Sequence, residues 1–223
     1  MLPRTLLASA EISGGGTLRL IRRGNDYMIA LGANELMNSR MSGSEEALAR
    51  LALDRIERAA PRLLIGGLGM GFTLRAALAG GGPGAQVTIV ELVGAVVDWA
   101  RGAMADLFAG SLDDPRVSIR IADVVDVIAD AAPATWDAIL LDVDNGPDAM
   151  TQPGNDRLYG AAGLAAARRA LRPGGALAIW SAAPDPAFTR RLQRTGAAVE
   201  EHIVRAHRGR GGARHTIWLA RWR

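Results

Sequence analysis

Two short apolar runs, at residues 62–66 and 87–91, end in residue types that suit a bound nucleoside. The first run leads into four closely spaced glycines, which are Gly66, Gly67, Gly69 and Gly71. Glycine adopts backbone conformations that other residues avoid, so such a turn lets a ligand lie directly against the backbone. The second run ends in Glu91, whose carboxylate can accept hydrogen bonds from both hydroxyls of a ribose. The two runs together predict a nucleoside-binding site.

Two further carboxylates stand at the ends of apolar runs later in the chain. Asp123 follows the run at residues 116–122, and Asp142 closes the run at residues 136–142. In an open sheet of parallel strands, ligands bind outside the carboxyl ends of the strands. We therefore expect both aspartates to lie on the same edge of the sheet as the glycine turn and Glu91.

A dinucleotide site is the first alternative for a glycine turn of this kind. Its fingerprint is Gly-x-Gly-x-x-Gly, and a fingerprint that starts at Gly67 would place Phe72 at the last glycine position. This departure argues against a nicotinamide-dependent dehydrogenase. The spacing Gly67-x-Gly69-x-Gly71 suits instead the turn of S-adenosylmethionine-dependent transferases, which have no pyrophosphate to hold.

The elements that must position these residues alternate along the chain. We predict strands at residues 62–66, 86–91, 116–122, 136–142 and 175–181, and helices at 71–79, 92–101, 124–131, 157–171 and 185–195. Two closing antiparallel strands are expected at residues 198–205 and 215–220. Strands separated by helix-length segments pair in parallel through right-handed crossovers. The prediction is an α/β fold, a Rossmann-like doubly wound, mostly parallel seven-stranded sheet.

The chain before this alternation predicts a small antiparallel β region. Strand-like runs at residues 5–12, 17–22 and 27–31 are separated by glycine-containing turns. Ser42 and Glu45 resemble a helix capping box, and apolar residues then recur at helical spacing up to Pro61. We therefore divide the chain into a small N-terminal antiparallel β region, residues 1–41, and a Rossmann-like domain, residues 42–223.

Composition limits the chemistry that is open to the 223 residues. The chain has no cysteine, which excludes a disulfide framework, a thiolate metal site and a cysteine nucleophile. The 26 basic residues are all arginine and face 23 acidic ones, so the formal net charge is only +3 and predicts no nucleic-acid partner. Neither a secretory signal nor a membrane span is evident, so we expect a cytoplasmic protein.

The remaining titratable and aromatic residues predict structural roles more readily than functional ones. His202, His207 and His215 share no metal-ligand spacing, so we expect surface or hairpin positions for them and no metal site. The arginine- and glycine-rich segment 205–214 is typical of a solvated loop between two closing strands. Trp180 suits the core better than an acceptor pocket.

These motifs together resemble the spermidine synthase-like (polyamine synthase) family, a branch of the Rossmann-like S-adenosylmethionine transferases. The resemblance extends over most of the chain. It is carried by the glycine turn at residues 64–71, Val90-Glu91, Asp113-Asp114-Pro115-Arg116-Val117 with Ala122-Asp123, the segment 136–142, Leu158-Tyr159 and Leu171-Arg172-Pro173-Gly174-Gly175.

The resemblance implies a role for each carboxylate. Glu91 would hold the ribose hydroxyls, Asp123 would accept a hydrogen bond from the adenine amino group, and Asp142 would be the catalytic residue where an acceptor amine meets the sulfonium. A carboxylate beside an attacking amine can orient the amine and take up its proton.

The chain also departs from the family pattern. An Asp-Ser-Ser-Asp-Pro type segment is replaced by residues 142–147, in which Asn145 stands where the second aspartate is expected. A Tyr-Gln-Glu or Tyr-His-Glu triplet is replaced by Ser44-Glu45-Glu46, and the N-terminal portion is shorter than usual. We expect Asp144, Asn145, Glu46 and Tyr159 to contact the acceptor.

The loss of an aspartate favours S-adenosylmethionine itself as cofactor, because its carboxylate prefers an arginine or a helix amino terminus to acidic neighbours. Methyl transfer to a small acceptor, for which an amine is expected, is therefore the first expectation. Aminopropyl transfer from decarboxylated S-adenosylmethionine is the alternative, because Asp142 and Asp144 with Glu45 and Glu46 suit a polycation. A non-catalytic nucleoside-binding sensor or partner protein is a further alternative. Family members often pair, which suggests a homodimer.

Overall fold

The chain builds two β-sheets, one small and antiparallel, the other large and mostly parallel. The computed structural model describes residues 3–12, 15–143, 147, 155–207 and 212–222. The small sheet is a meander in which each strand pairs with the next along the chain. Its strands are β1 (Thr5–Glu11), β2 (Thr17–Arg23), β3 (Asp26–Leu31) and β4 (Asn34–Asn38).

The sequence predicts only three of these four strands. The fourth, Asn34–Asn38, was missed because asparagine at both ends and Glu35 within it are typical of turns rather than of strands. It forms because a turn through Gly32 brings it back along β3, where Ile29 pairs with Met37. The pairing places Met37 beside the glycine turn of the main domain.

Seven strands form the large sheet. They are β5 (Arg62–Gly66), β6 (Gln86–Glu91), β7 (Val117–Ile121), β8 (Trp136–Leu141), β9 (Leu171–Ser181), β10 (Ala198–Arg205) and β11 (Arg214–Arg221). The spatial order is β10-β11-β9-β8-β5-β6-β7, with β10 and β11 antiparallel to their neighbours and the other pairs parallel. The predicted fold class is confirmed.

Helices cover both faces of the large sheet. They are α1 (Gly43–Leu53), α2 (Phe72–Gly80), α3 (Gly94–Arg101), α4 (Ala105–Phe108), α5 (Val124–Asp130), α6 (Asn155–Tyr159), α7 (Ala161–Ala170) and α8 (Pro186–Arg194). Residues of α1 to α4 and of the small sheet pack on one face, and residues of α5 to α8 pack on the other. The central strands are therefore buried on both sides, which explains why β8 reads as a continuous apolar run broken only by Asp137.

Two helices differ from the prediction. Helix α1 ends at Leu53 rather than near residue 60, and Ser42 makes no side-chain capping bond, so the predicted capping box is wrong. Its first turn is held instead by the backbone, since the amide of Gly43 donates to the carbonyl of Ala206. The helix predicted at residues 157–171 is interrupted at Gly160, whose extended backbone separates α6 from α7.

Gly67 lies where the structure leaves no room for a side chain. Its φ of 88° belongs to the left-handed region, and a Cβ placed on it would collide with the backbone carbonyl oxygen of Asp142. Gly174 has a similar φ of 78°, but nothing lies within 4 Å of the position where its Cβ would be. A side chain at Gly174 would therefore cost only the strain of the left-handed backbone, whereas a side chain at Gly67 would add a steric clash.

We expect Gly174→Ala to lower the free energy of unfolding by about 1–2 kcal/mol, the cost of a left-handed alanine. Gly67→Ala should lower it by roughly 2 kcal/mol more, because β5 and β8 must move apart at their carboxyl ends. Urea unfolding of both variants beside the parent protein measures the difference. Equal losses in the two variants would show that the close approach at Gly67 carries no steric cost.

Candidate functional site

The glycine turn is clamped between the ends of two neighbouring strands. The amide of Gly67 donates to the carbonyl of Val90 at 2.8 Å, and the carbonyl of Gly66 accepts from the amide of Asp142 at 2.9 Å. Strands β6 and β8 flank β5, so these bonds bring the ends of all three strands together. The predicted meeting of the glycine turn, Glu91 and Asp142 at one edge is thus what the structure shows.

Glu91 is held in place by backbone amides. Its Oε2 accepts from the amide of Leu68 in the glycine turn, and its Oε1 accepts from the amide of Val93, both at 2.9 Å. The residue is only 8% exposed. A carboxylate oxygen can accept more than one hydrogen bond, so the fixed carboxylate suits a pair of neighbouring hydroxyls.

Asp123 combines two roles at the end of β7. Its Oδ1 accepts from the amide of Val125 at 2.8 Å and so caps the amino terminus of α5. Its Oδ2 lies 3.9 Å from the guanidinium of Arg157, and about a third of the side chain is exposed. Asp123 therefore presents a partly solvated carboxylate across the cleft from the glycine turn.

Asp142 follows β8 and points toward α2. The hydroxyl of Thr73, in the first turn of α2, donates to its Oδ2 at 2.6 Å. Burial raises the pKa of Asp142 to about 6, against the lowering effect of the hydroxyl. An aspartate with this pKa is ionised at neutral pH and can accept a proton there.

Glu45, in the first turn of α1, is the second carboxyl at this position. Burial and, to a lesser extent, the charge of Asp142 raise its pKa to about 7, against the lowering effect of the Ser44 hydroxyl. Thr73 joins the two residues, because its hydroxyl also lies 3.3 Å from the carbonyl oxygen of Glu45. Two acidic groups thus lie close together next to the end of β8, which favours a cationic or proton-donating ligand there.

The cleft between the two sheets holds about 1060 Å³ of empty space, including the part open to solvent. The carboxylates Glu91, Asp123 and Asp142 line it, and within the described part of the chain no cationic side chain does. The N-terminal region supplies an apolar wall of Ile12, Leu18, Ile29, Leu31, Leu36 and Met37. The cleft therefore combines an apolar body with acidic ends.

The residues predicted to contact the acceptor do not all lie at the cleft. Glu46 lines a separate groove with Arg50 and Arg75, and the neighbouring Glu45 is the residue that approaches Asp142. Tyr159 is 1% exposed and its ring packs edge-on against Phe188 in the core, away from the cleft. Its predicted contact with an acceptor therefore has no opening to the cleft in this structure. Asp144 and Asn145 lie outside the described residues, as do residues 208–211 of the basic segment.

Three residues at or beside the site escaped the sequence analysis. Thr73 could have been found, because it lies in the first turn of the helix that follows the glycine turn. Ser44 was noted only as a replacement for a family aromatic residue. His215 was expected at the surface or in a hairpin. It lies on β11 of the closing hairpin, but it is only 9% exposed, and its ring packs edge-on against Trp180 with 4.7 Å between centroids. No local signal in the sequence marks that burial.

Within the described ranges, no three side chains of the metal-ligating types converge. Within the same ranges, no helix has both the length and the apolar composition needed to cross a membrane.

Similar proteins were found by sequence, although no protein-family model matches the chain. A polyamine aminopropyltransferase of Mycobacterium tuberculosis (strain ATCC 25618 / H37Rv) is 41% identical over 101 residues, which cover 44% of this chain and 18% of that protein. A polyamine aminopropyltransferase of Synechococcus sp. (strain JA-2-3B'a(2-13)) is 30% identical over 171 residues, covering 72% of this chain and 53% of that protein. The chain thus spans about half or less of the length of the curated relatives it matches.

Solved structures agree with the fold. The spermidine synthase of Thermotoga maritima aligns with a TM-score of 0.76 at 19% identity, over 96% of this chain and 72% of that one. A spermidine synthase in complex with the transition state analogue AdoDATO aligns with a TM-score of 0.75 at 18% identity, over 96% and 71% of the two chains. At these identities the structures show the shared fold. Together with the sequence relatives, they support placing the chain in the spermidine synthase-like family of Rossmann-like proteins.

Proposed function

We propose that this protein transfers an aminopropyl group from decarboxylated S-adenosylmethionine to a small amine. The observation that carries the proposal is the charge of the cleft, whose described lining has three carboxylates and no cation. S-adenosylmethionine itself brings a carboxylate, which would meet acidic neighbours here. The decarboxylated donor has only its sulfonium and its ammonium group, and both are attracted by carboxylates.

This proposal reverses the order of the two transfer reactions considered from the sequence. Methyl transfer is favoured there because Asn145 replaces a family aspartate. The relatives identified by sequence are polyamine aminopropyltransferases, so they favour the alternative. Glu45 supplies a physical reason, because it provides a second acidic group beside Asp142 from a different element.

The geometry supports the following reaction. The donor's adenosine lies between Glu91 and Asp123 along the glycine turn, with its sulfonium toward Asp142. The nitrogen of the acceptor amine attacks the aminopropyl methylene carbon that is bonded to sulfur. A C–N bond forms while that C–S bond breaks, and its electron pair stays on the sulfur of the departing methylthioadenosine. The nitrogen then loses a proton to the carboxyl pair of Asp142 and Glu45. The protein contributes position and proton acceptance, and the sulfonium is itself the leaving group.

Binding of four nucleosides tests the choice of donor. By calorimetry, we expect decarboxylated S-adenosylmethionine and methylthioadenosine to bind at least tenfold more tightly than S-adenosylmethionine and S-adenosylhomocysteine. Each unfavourable charge contact of about 1.4 kcal/mol accounts for a factor of ten. The reverse preference would restore methyl transfer. Product formation from diamines is measured by mass spectrometry. Tight binding of the donor with no product from any diamine would instead indicate a non-catalytic nucleoside-binding protein.

The same measurement on Glu91→Ala checks the ribose contact. Removal of charged hydrogen bonds worth about 1.5–3 kcal/mol should weaken methylthioadenosine binding by roughly 10- to 100-fold. Glu57→Ala, which removes an exposed carboxylate remote from the cleft, is the matched control and should bind as the parent does. Unchanged affinity in a folded Glu91→Ala protein would remove Glu91 from the site.

Asp142→Asn tests proton acceptance. We expect kcat/KM to fall by about 100-fold or more, in the range usual for loss of a general base, with methylthioadenosine affinity retained. In the parent protein kcat/KM should rise between pH 5 and pH 8, because the raised pKa values of Asp142 and Glu45, about 6 and about 7, must be exceeded for both groups to ionise. Asp126→Asn, on the exposed part of α5, is the control. A pH-independent rate in this range would contradict the role of the pair.

The same substitution should stabilise the fold at high pH. Asp142 has its pKa raised on folding, so the carboxyl favours the folded state below its unfolded pKa and loses that contribution as pH rises through about 6. Asparagine removes the buried charge. We therefore expect Asp142→Asn to raise the melting temperature at pH 8, by an amount equivalent to about 3 kcal/mol at most, and to change it little at pH 4. A lower melting temperature at pH 8 would show that the charge is compensated.

A further inference from the structure

A chain of hydrogen bonds links Glu45 to a buried histidine. The hydroxyl of Ser44 lies 2.6 Å from Oε2 of Glu45 and 2.8 Å from Nδ1 of His215. Ser44 and His215 are both buried. The chain therefore runs from an acidic group of the site, through one hydroxyl, to an imidazole in the core between α1 and the large sheet.

The surroundings of His215 favour a neutral ring. Trp180 on β9 packs edge-on against it, and Val204 on β10 lies opposite it in the strand register. Farther along β10, His202 lies 3.2 Å from Glu200, which also pairs with Arg55 at 2.7 Å. Among the described groups around this ring, Glu45 is the acidic group connected to it, and the hydroxyl of Ser44 makes the connection. Burial lowers the pKa of His215, so the ring is uncharged at neutral pH.

The number of protons fixes the direction of each bond. An ionised carboxylate only accepts hydrogen bonds, so the single hydroxyl proton of Ser44 must point to Glu45 when Glu45 is ionised. The nitrogen Nδ1 of His215 must then donate to the Ser44 oxygen, which requires the tautomer with its proton on Nδ1. When Glu45 is protonated it can donate to Ser44, and the hydroxyl is then able to donate to a bare Nδ1.

We propose that Ser44 and His215 are positioning residues that aim the Glu45 carboxylate and keep it ionised beside Asp142. The ring N–H holds the hydroxyl, and the hydroxyl holds the carboxylate, so each group has a partner in the ionised state. The proposal depends on the proposed function in one respect, which is the reaction that Glu45 assists. The hydrogen-bonded chain itself can be tested without donor or acceptor.

The first test is the tautomer of His215, measured by nitrogen-15 chemical shifts of the imidazole. At pH 8.5, where Glu45 is ionised, we expect the proton of His215 on Nδ1 in the parent protein. In Ser44→Ala the ring loses its acceptor, and we expect the proton to move to Nε2 in a substantial fraction of molecules. A parent ring protonated on Nε2 at pH 8.5, or an identical tautomer in both proteins, would overturn the proposal. Because no turnover is measured, either result is independent of the transfer reaction.

The second test is the pH profile of kcat/KM. Loss of the donated hydrogen bond raises the pKa of Glu45, so Ser44→Ala should move the acidic limb upward by about one pH unit. His215→Phe keeps the ring against Trp180 but has no nitrogen, and it should shift the limb in the same direction. His215→Asn retains a donor near Nδ1 and should restore most of the profile.

Two controls separate positioning from a general loss of structure. His202→Asn changes a neighbouring histidine outside the chain and should leave the acidic limb in place. The double variant Ser44→Ala with His215→Phe should shift the limb no further than Ser44→Ala alone, because the two residues act in series. Equal activity losses at every pH, with no shift of the limb, would overturn the positioning role. If the protein shows no aminopropyl transfer but His215 has the expected tautomer, the proposed function is wrong and the hydrogen-bonded link from Glu45 through Ser44 to His215 is confirmed.

Discussion

The close contact between the glycine turn and the end of β8 is the constraint on which the site depends. Gly67 passes so near the carbonyl of Asp142 that a Cβ has no room, and the neighbouring amides and carbonyls bond β5 to both of its neighbours. Three strand ends are thereby drawn to one point of the sheet edge. Glu91, the last residue of β6, and Asp142, the residue after β8, become neighbours of the same turn because the backbone can close there.

Carboxyl groups that are buried close together at that edge destabilise one another's ionised forms, and few hydrogen-bond donors compensate this effect. Glu91 is held by two backbone amides, Asp142 accepts from the hydroxyl of Thr73, and Glu45 accepts from the hydroxyl of Ser44 and from its own backbone amide. For Asp142 and Glu45, these donors compensate the effect of burial on the pKa only in part. Glu91 therefore suits a fixed contact with a neutral sugar, while the other two carboxyls keep raised pKa values suited to proton transfer.

The small N-terminal sheet completes the cleft by packing rather than by chemistry. Its strands contribute Leu18, Leu20 and Ile29 to the same core as Ile65 of the glycine strand. Met37, on the strand that the sequence did not reveal, reaches Gly69 in the turn. In the proposed reaction, an apolar wall in this position would exclude water from one side of the ligand and would strengthen the attraction between the carboxylates and a cationic donor.

The sequence by itself determined the alternation of strands and helices, the glycine turn and the carboxylates Glu91, Asp123 and Asp142, because each depends on a local pattern or on the general rule for strand ends. Only the tertiary structure decided between Glu45 and Glu46. Successive helical residues point about 100° apart, and the rotation of α1 is fixed by packing and by the bond from Gly43 to Ala206, far along the chain. The same contact between α1 and the hairpin of β10 and β11 brings Ser44 to His215, 171 positions away. A pattern read within one segment carries no information about such a pairing, since it arises from burial of two surfaces against each other.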